Sequence, residues 1–142
     1  MLRRTSAILL FVILSGCYDT MTARRQLRTC QDLAAVAKQL RTYRQSHGVF
    51  PRSEDVRQLQ RVLDLRLLLN DAWSNPLRYR ATADGQHYTL ASAGADGRFD
   101  AEAPGSHRIE LTNDSARDIV VRDGIFVQFP RAAQRVISAA PN

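Results

Sequence analysis

Asp96 and Asp100 flank a turn, with Glu102, Asp114, Asp118 and Asp123 downstream. Asp96 sits inside Ala95-Asp96-Gly97. Calcium takes several hard oxygens, usually carboxylates mixed with backbone carbonyls, and a glycine-lined loop offers such carbonyls. The Asp-x-Asp-x-Asp-Gly spacing of a helix–loop–helix site is absent, and by composition alone these side chains fit solvated turn carboxylates better than a metal site. The other reactive residue types argue against catalysis. His47, His87 and His107 lie far apart near turns or strand ends, none with a second ligand at metal spacing. Cys30 falls on an apolar helix face, where a cysteine behaves as a small hydrophobe rather than a reactive thiol. No Gly-x-Ser-x-Gly elbow or phosphate-binding loop occurs. The expectation is a protein that is not an enzyme.

One further cysteine stands in a different context. The first residues read MLRRTSAILLFVILSGC. Arg3 and Arg4 precede an unbroken apolar run, residues 7–14, followed by small residues, which is the layout of a secretory signal. The run is far shorter than the ~20 apolar residues of a spanning helix. Leu14-Ser15-Gly16-Cys17 resembles the bacterial lipobox. That resemblance implies cleavage before Cys17 and acylation of its thiol, palmitate included. More than one acyl chain anchors stably, at ~0.8 kcal/mol per buried CH₂. Tyr18 replaces the aspartate of the usual inner-membrane retention signal, which points to the outer membrane. With Cys17 lipidated, Cys30 has no disulfide partner.

Length and charge agree with an exported single domain. The chain has 142 residues and a formal charge of +6, carried almost wholly by arginine. Loss of Arg3 and Arg4 brings the charge from +6 to +4. An exported protein does not meet chromosomal DNA, so the basic balance implies no nucleic-acid partner.

The elements that must hold the acidic loop follow from periodicity. Leu27, Cys30, Leu33, Ala34, Ala37, Leu40 and Tyr43 step by three and four, predicting an amphipathic helix from about Ala23 to Ser46, with Gly48 as its stop. Arg24, Arg25 and Arg28 cluster at its membrane-proximal end. Pro51 forces Phe50 out of the helical region, letting it pack beneath the helix. Ser53 is a natural N-cap for a second, shorter helix with Val56, Leu59, Val62, Leu63 and Leu67 on one face. Residues 77–82 and 88–91 read as a hairpin about Asp84-Gly85. Trp73, Tyr79 and Tyr88 belong to the expected core. Residues 108–111 suggest an edge strand, and 118–121 with 125–129 a second hairpin through Asp123-Gly124. A short helix is expected to open the tail at Arg131.

The ordered motifs Tyr43…Gly48-x-Phe50-Pro51, Asp71-x-Trp73-x-Asn75-Pro76-x-x-Tyr79, Tyr88 and Ser92-x-Gly94-Ala95-Asp96-Gly97 resemble the globular part of the major pseudopilin of type II secretion. The resemblance implies an α+β fold, with a long N-terminal helix packed on a small antiparallel sheet. It also implies a structural calcium ion after the Ser-x-Gly-x-Asp-Gly motif. Asp96 matches the first acidic ligand and Asp118 the second, with the Ser92 backbone carbonyl nearby; Asp100 or Asp114 are substitutes that the long 97–117 insertion would supply. The prepilin leader and the hydrophobic stalk that builds the family's filament are absent from their usual place. The expected organisation is therefore a cleaved signal at 1–16, a lipidated Cys17 with its tether at 17–22, a globular domain at 23–130 and a tail at 131–142.

The functional expectation is a non-enzymatic, lipid-anchored periplasmic protein of a type II secretion-like system, partnered by the membrane and by pseudopilus or other secretion proteins. The alternative is a stand-alone binding lipoprotein that uses the same head for an unrelated ligand. Service as a minor filament subunit is disfavoured by the missing stalk.

Overall fold

The computed structural model describes residues 5–52, 56–63, 69–100 and 109–138, of which 5–19, 56–57 and 136 are described by their backbone alone. Helix α1 spans Thr5–His47. It therefore starts well before Ala23, and its backbone continues through the segment expected to be a tether. No proline interrupts residues 5–47, and Gly16 is their only glycine, so nothing there breaks the helix. Gly48, at φ 76°, ends it, its N–H donating to the Arg44 carbonyl at 2.8 Å.

Two short helices accompany α1: α2, Val56–Val62, and α3, Gln134–Ser138. Leu59 of α2 is fully buried, whereas Val62 is exposed, so the apolar face predicted there is narrower than its sequence suggests. The expected N-cap Ser53 and the continuation to Leu67 lie outside the described residues.

Five strands, among the described residues, form one sheet in the order β1-β2-β4-β5-β3. They are β1 Arg78–Ala81, β2 Tyr88–Ser92, β3 Glu110–Thr112, β4 Ile119–Arg122 and β5 Ile125–Pro130. The two expected hairpins are present, β1 with β2 and β4 with β5. The predicted edge strand is also there, shifted to Glu110–Thr112, but it pairs parallel with β5. The sheet is thus mostly, not wholly, antiparallel. The β4–β5 hairpin causes this: β5 folds back between β4 and β3 and meets the edge running the same way.

The core lies between α1 and the sheet. Cys30, Leu33, Val36, Ala37 and Leu40 face Tyr79, Leu90, Ile119, Val121, Phe126 and Phe129, all buried. Burial of a Leu or Val side chain contributes about 1.5–3 kcal/mol. Cys30 is 1% exposed, and burial pushes its thiol up to about 12, as expected of a packing cysteine. Phe50 lies under the helix with its ring edge against Tyr88 at 4.7 Å, and the Tyr79 hydroxyl donates to the Pro51 carbonyl at 2.8 Å. Trp73 is only half-buried, contrary to expectation. It belongs to a turn that is closed on its inner side by the Asp71 carboxylate. Residues 131–138 are not a loose tail. Ala133 is fully buried and Ile137 packs against the core.

Candidate functional site

The Asp71–Asn75 turn is built around one carboxylate. Asp71 is 6% exposed. Its Oδ1 accepts from the Trp73 and Asn75 N–H groups at 3.0 and 2.8 Å. Its Oδ2 accepts from the Ser92 hydroxyl at 2.8 Å and from Asn75 Nδ2 at 3.4 Å. A carboxylate taken out of water is stable only when such donors surround it.

The same bonds position the loop that carries Asp96. Ser92, fully buried, accepts from the Gly94 N–H at 3.2 Å, and Asn75 Nδ2 donates to the Gly94 carbonyl at 2.9 Å. Gly94 has φ 65°, and a Cβ there would stand 2.6, 2.8 and 2.9 Å from the carbonyl oxygens of Arg117, Ser115 and Ala116. The Ala95 N–H donates to that Ser115 carbonyl at 2.8 Å. Only glycine combines the left-handed conformation with so close a backbone approach. The far end of the long insertion is thereby locked onto the Ser92–Gly97 motif.

That lock brings Asp118 back to Asp96 and Asp100. Ser92 stands opposite Ile119 in the β2–β4 register, so Asp118 emerges beside the loop. It is 3% exposed. The Asp100 N–H donates to Asp118 Oδ2 at 3.1 Å, and the Asp118 N–H donates to Asp100 Oδ2 at 3.4 Å. Asp118 Oδ1 is buried with no hydrogen-bond partner. Burial pushes the Asp118 carboxyl up to about 6; the charges of Asp100 and Asp96 push the same way, against the Asp100 N–H and the Arg78 charge.

Arginines border the cluster. Arg117 lies 3.3 Å from Asp100 Oδ2 and 3.5 Å from Glu110 Oε1. The Arg78 guanidinium stacks on the Phe99 ring at 4.0 Å. Asp96 is exposed and its Oδ1 accepts from the Arg98 N–H at 2.9 Å. Asp114 is also exposed, with its Oδ1 accepting from the Ala116 N–H at 2.9 Å inside its own turn.

The predicted acidic residues therefore divide. Asp100 and Asp96 gather closely enough for their charges to act on the ionisation of Asp118, with Ser92 beside them. Asp114 serves the turn that wraps Gly94. Glu102 lies outside the described residues. The orphaned, buried Oδ1 of Asp118 suits a cation, because an unpaired buried oxygen is costly without one. Yet among the described residues no three His, Cys, Asp or Glu side chains form a group that could hold a metal. Any full shell needs backbone carbonyls or residues of the 101–108 segment.

Sequence reasoning named Asp71 and Asn75 as motif residues without seeing what they do. It missed Thr29 altogether. That side chain is fully buried on α1 and accepts from the Ala72 N–H at 3.1 Å, tying the helix to the turn. The legible signal was a hydroxyl four residues before Leu33, inside the apolar stripe.

Among the described residues no helix is long and apolar enough to cross a membrane. Searches of curated proteins and of solved structures returned no match. The family model described as Type II secretion system (T2SS), protein G, matches residues 18–108, more than half of the chain, and covers both the Asp71–Asn75 turn and the Ser92–Gly97 motif. The long helix on a mostly antiparallel sheet agrees with it, and the chain belongs to the type II secretion system protein G family, that of the major pseudopilin.

Proposed function

We propose that the protein is a non-enzymatic, lipid-anchored component of type II secretion that faces the periplasm and presents a pseudopilin head to other proteins of that system. The family match from residue 18 to residue 108 carries the reading. It begins directly after Cys17, so cleavage and acylation there would leave the whole family-like segment attached to the lipid. The stand-alone lipoprotein is not favoured, since the family is one of secretion components. The non-catalytic role agrees with the packing of Cys30 and with the structural engagement of Asp71 and Ser92.

In this reading calcium, when bound, neutralises Asp118 and stiffens the loop. Asp118 would be the central ligand, with Asp96 and Asp100 as neighbours and the Ser92 carbonyl close by. Placement in the outer membrane follows from Tyr18 after the cysteine.

Crosslinking in intact cells tests the secretion role. A photoreactive residue at an exposed position of the head, Arg80 or Ile125, should recover secretion-system proteins. Removal of the protein should lower export of a secreted substrate. Efficient crosslinking that recovers only unrelated proteins, with export unchanged, would overturn the reading.

A further inference from the structure

Between residues 20 and 47, α1 carries Arg24, Arg25, Arg28, Lys38, Arg41 and Arg44 against a single acidic residue, Asp32. Arg24, Arg25 and Arg28 are all exposed. Arg28 reaches Asp32 at only 3.9 Å, across an exposed pair of the kind that contributes little. At 3.6 residues per turn, Arg24 lies about 180° around the helix from the buried Leu33. Met21, an apolar side chain 51% exposed, precedes Arg24 and Arg25 by about one turn. An exposed methionine beside three arginines is the side-chain mixture of an interfacial helix surface, apolar contact plus cationic charge.

The same helix says what covers this surface. Its backbone is continuous from Thr5, so the apolar run at 7–14 and Cys17 lie on the axis that carries the arginines. At 1.5 Å per residue Arg24 is about 10 Å beyond Cys17 and Arg28 about 16 Å. The first distance is close to one Debye length, and a tilted helix brings all three side chains down to the headgroups. We propose that the surface formed by Met21, Arg24, Arg25 and Arg28 binds anionic phospholipid, so that α1 leans onto the membrane and sets the orientation of the head. The inference goes beyond the secretion reading and does not depend on lipidation. Attachment through an acylated Cys17 or through the uncleaved apolar run puts the same arginines at the same height. At ~1 kcal/mol per arginine, the three together favour the leaning state by roughly 100-fold.

The test uses the full chain carrying Cys17→Ser and Gln31→Cys, with a fluorophore on the exposed position 31; the buried Cys30 does not compete for label. Vesicles contain a headgroup spin label in phosphatidylcholine, with or without about 30 mol% phosphatidylglycerol. Flotation reports attachment separately. Quenching should be at least about twofold stronger with the anionic lipid, and should fall to the phosphatidylcholine level in roughly 0.5 M salt. It should fall likewise when Arg24, Arg25 and Arg28 are all changed to Gln, with flotation and thermal melting unchanged. Equal quenching in both lipids for protein that floats in both would overturn the proposal and leave an acidic protein surface as the partner of these arginines. A triple variant that quenches as strongly as its parent would overturn it too.

Discussion

Asp100 and Asp118 exchange hydrogen bonds, each backbone N–H donating to the other's carboxylate, at 3.1 and 3.4 Å, although eighteen positions separate them in the chain. The pair closes the neck of the insertion, and Arg117 adds a 3.3 Å contact to Asp100. What remains unpaired is Asp118 Oδ1. We propose that this combination of a closed neck and one orphaned oxygen makes the acidic loop sensitive to protons and to cations.

The proton response has a definite sign. Asp118 titrates near 6 in the folded protein, against 3.8 for an ordinary aspartate. The native state therefore binds a proton more tightly than the unfolded chain between those values. With chelator present, stability should rise as pH falls from 7 towards 4, by about 1–2 kcal/mol from this group, and level off below. Asp118→Asn should be more stable than the parent at pH 7 and should lose most of that slope. Melting curves at successive pH values check this; a parent that melts at one temperature throughout would refute it.

Calcium should act through the same oxygen. Added Ca²⁺ at neutral pH should raise the melting temperature of the parent, and a chelator should reverse the rise. Saturation at about 100-fold over the dissociation constant corresponds to ~2.7 kcal/mol. Asp118→Asn and Asp96→Ala should both blunt the response, while Asp114→Ala should keep it if the ion sits at Asp118. A parent indifferent to both additions would remove calcium from the description of this protein.

Gly94 should be intolerant of even one methyl group. Gly94→Ala meets three backbone carbonyls within 2.9 Å in addition to an unfavourable φ of 65°. We expect a loss of about 3 kcal/mol or more. Gly48→Ala is the comparison, because its φ is 76° but nothing lies within 4 Å of the added carbon. That substitution should cost about 1–2 kcal/mol. Equal losses in denaturant titrations would mean that the carbonyl cradle contributes nothing.

Cys17 should be the acylated residue. Cells grown with labelled palmitate should label the protein, and Cys17→Ala should abolish labelling and leave a chain heavier by the uncleaved residues 1–16. Label retained on the alanine variant would exclude the lipobox as the anchor.

Much of the architecture was legible because it rests on local rules. The three- and four-residue steps from Leu27 to Tyr43 mark a helix face whatever it packs against. Asp84-Gly85 and Asp123-Gly124 mark turns through their own backbone preferences. The order of the Asp71–Tyr79 and Ser92–Gly97 motifs was enough to identify the family. What one-dimensional pattern could not supply was closure. The parallel pairing of Glu110–Thr112 depends on where the β4–β5 hairpin lands. The burial of Thr29 depends on the Ala72 N–H that reaches it from forty-three positions away. Above all, the resemblance named Asp118, but its meeting with Asp100 and Asp96 depends on Gly94 admitting the carbonyls of residues 115–117, which carries the end of a long insertion back to its start. Turn and helix propensities act between near neighbours and are written in the chain. The meeting of Asp100 with Asp118 is a long-range contact, set by the sheet register and close packing around one missing side chain.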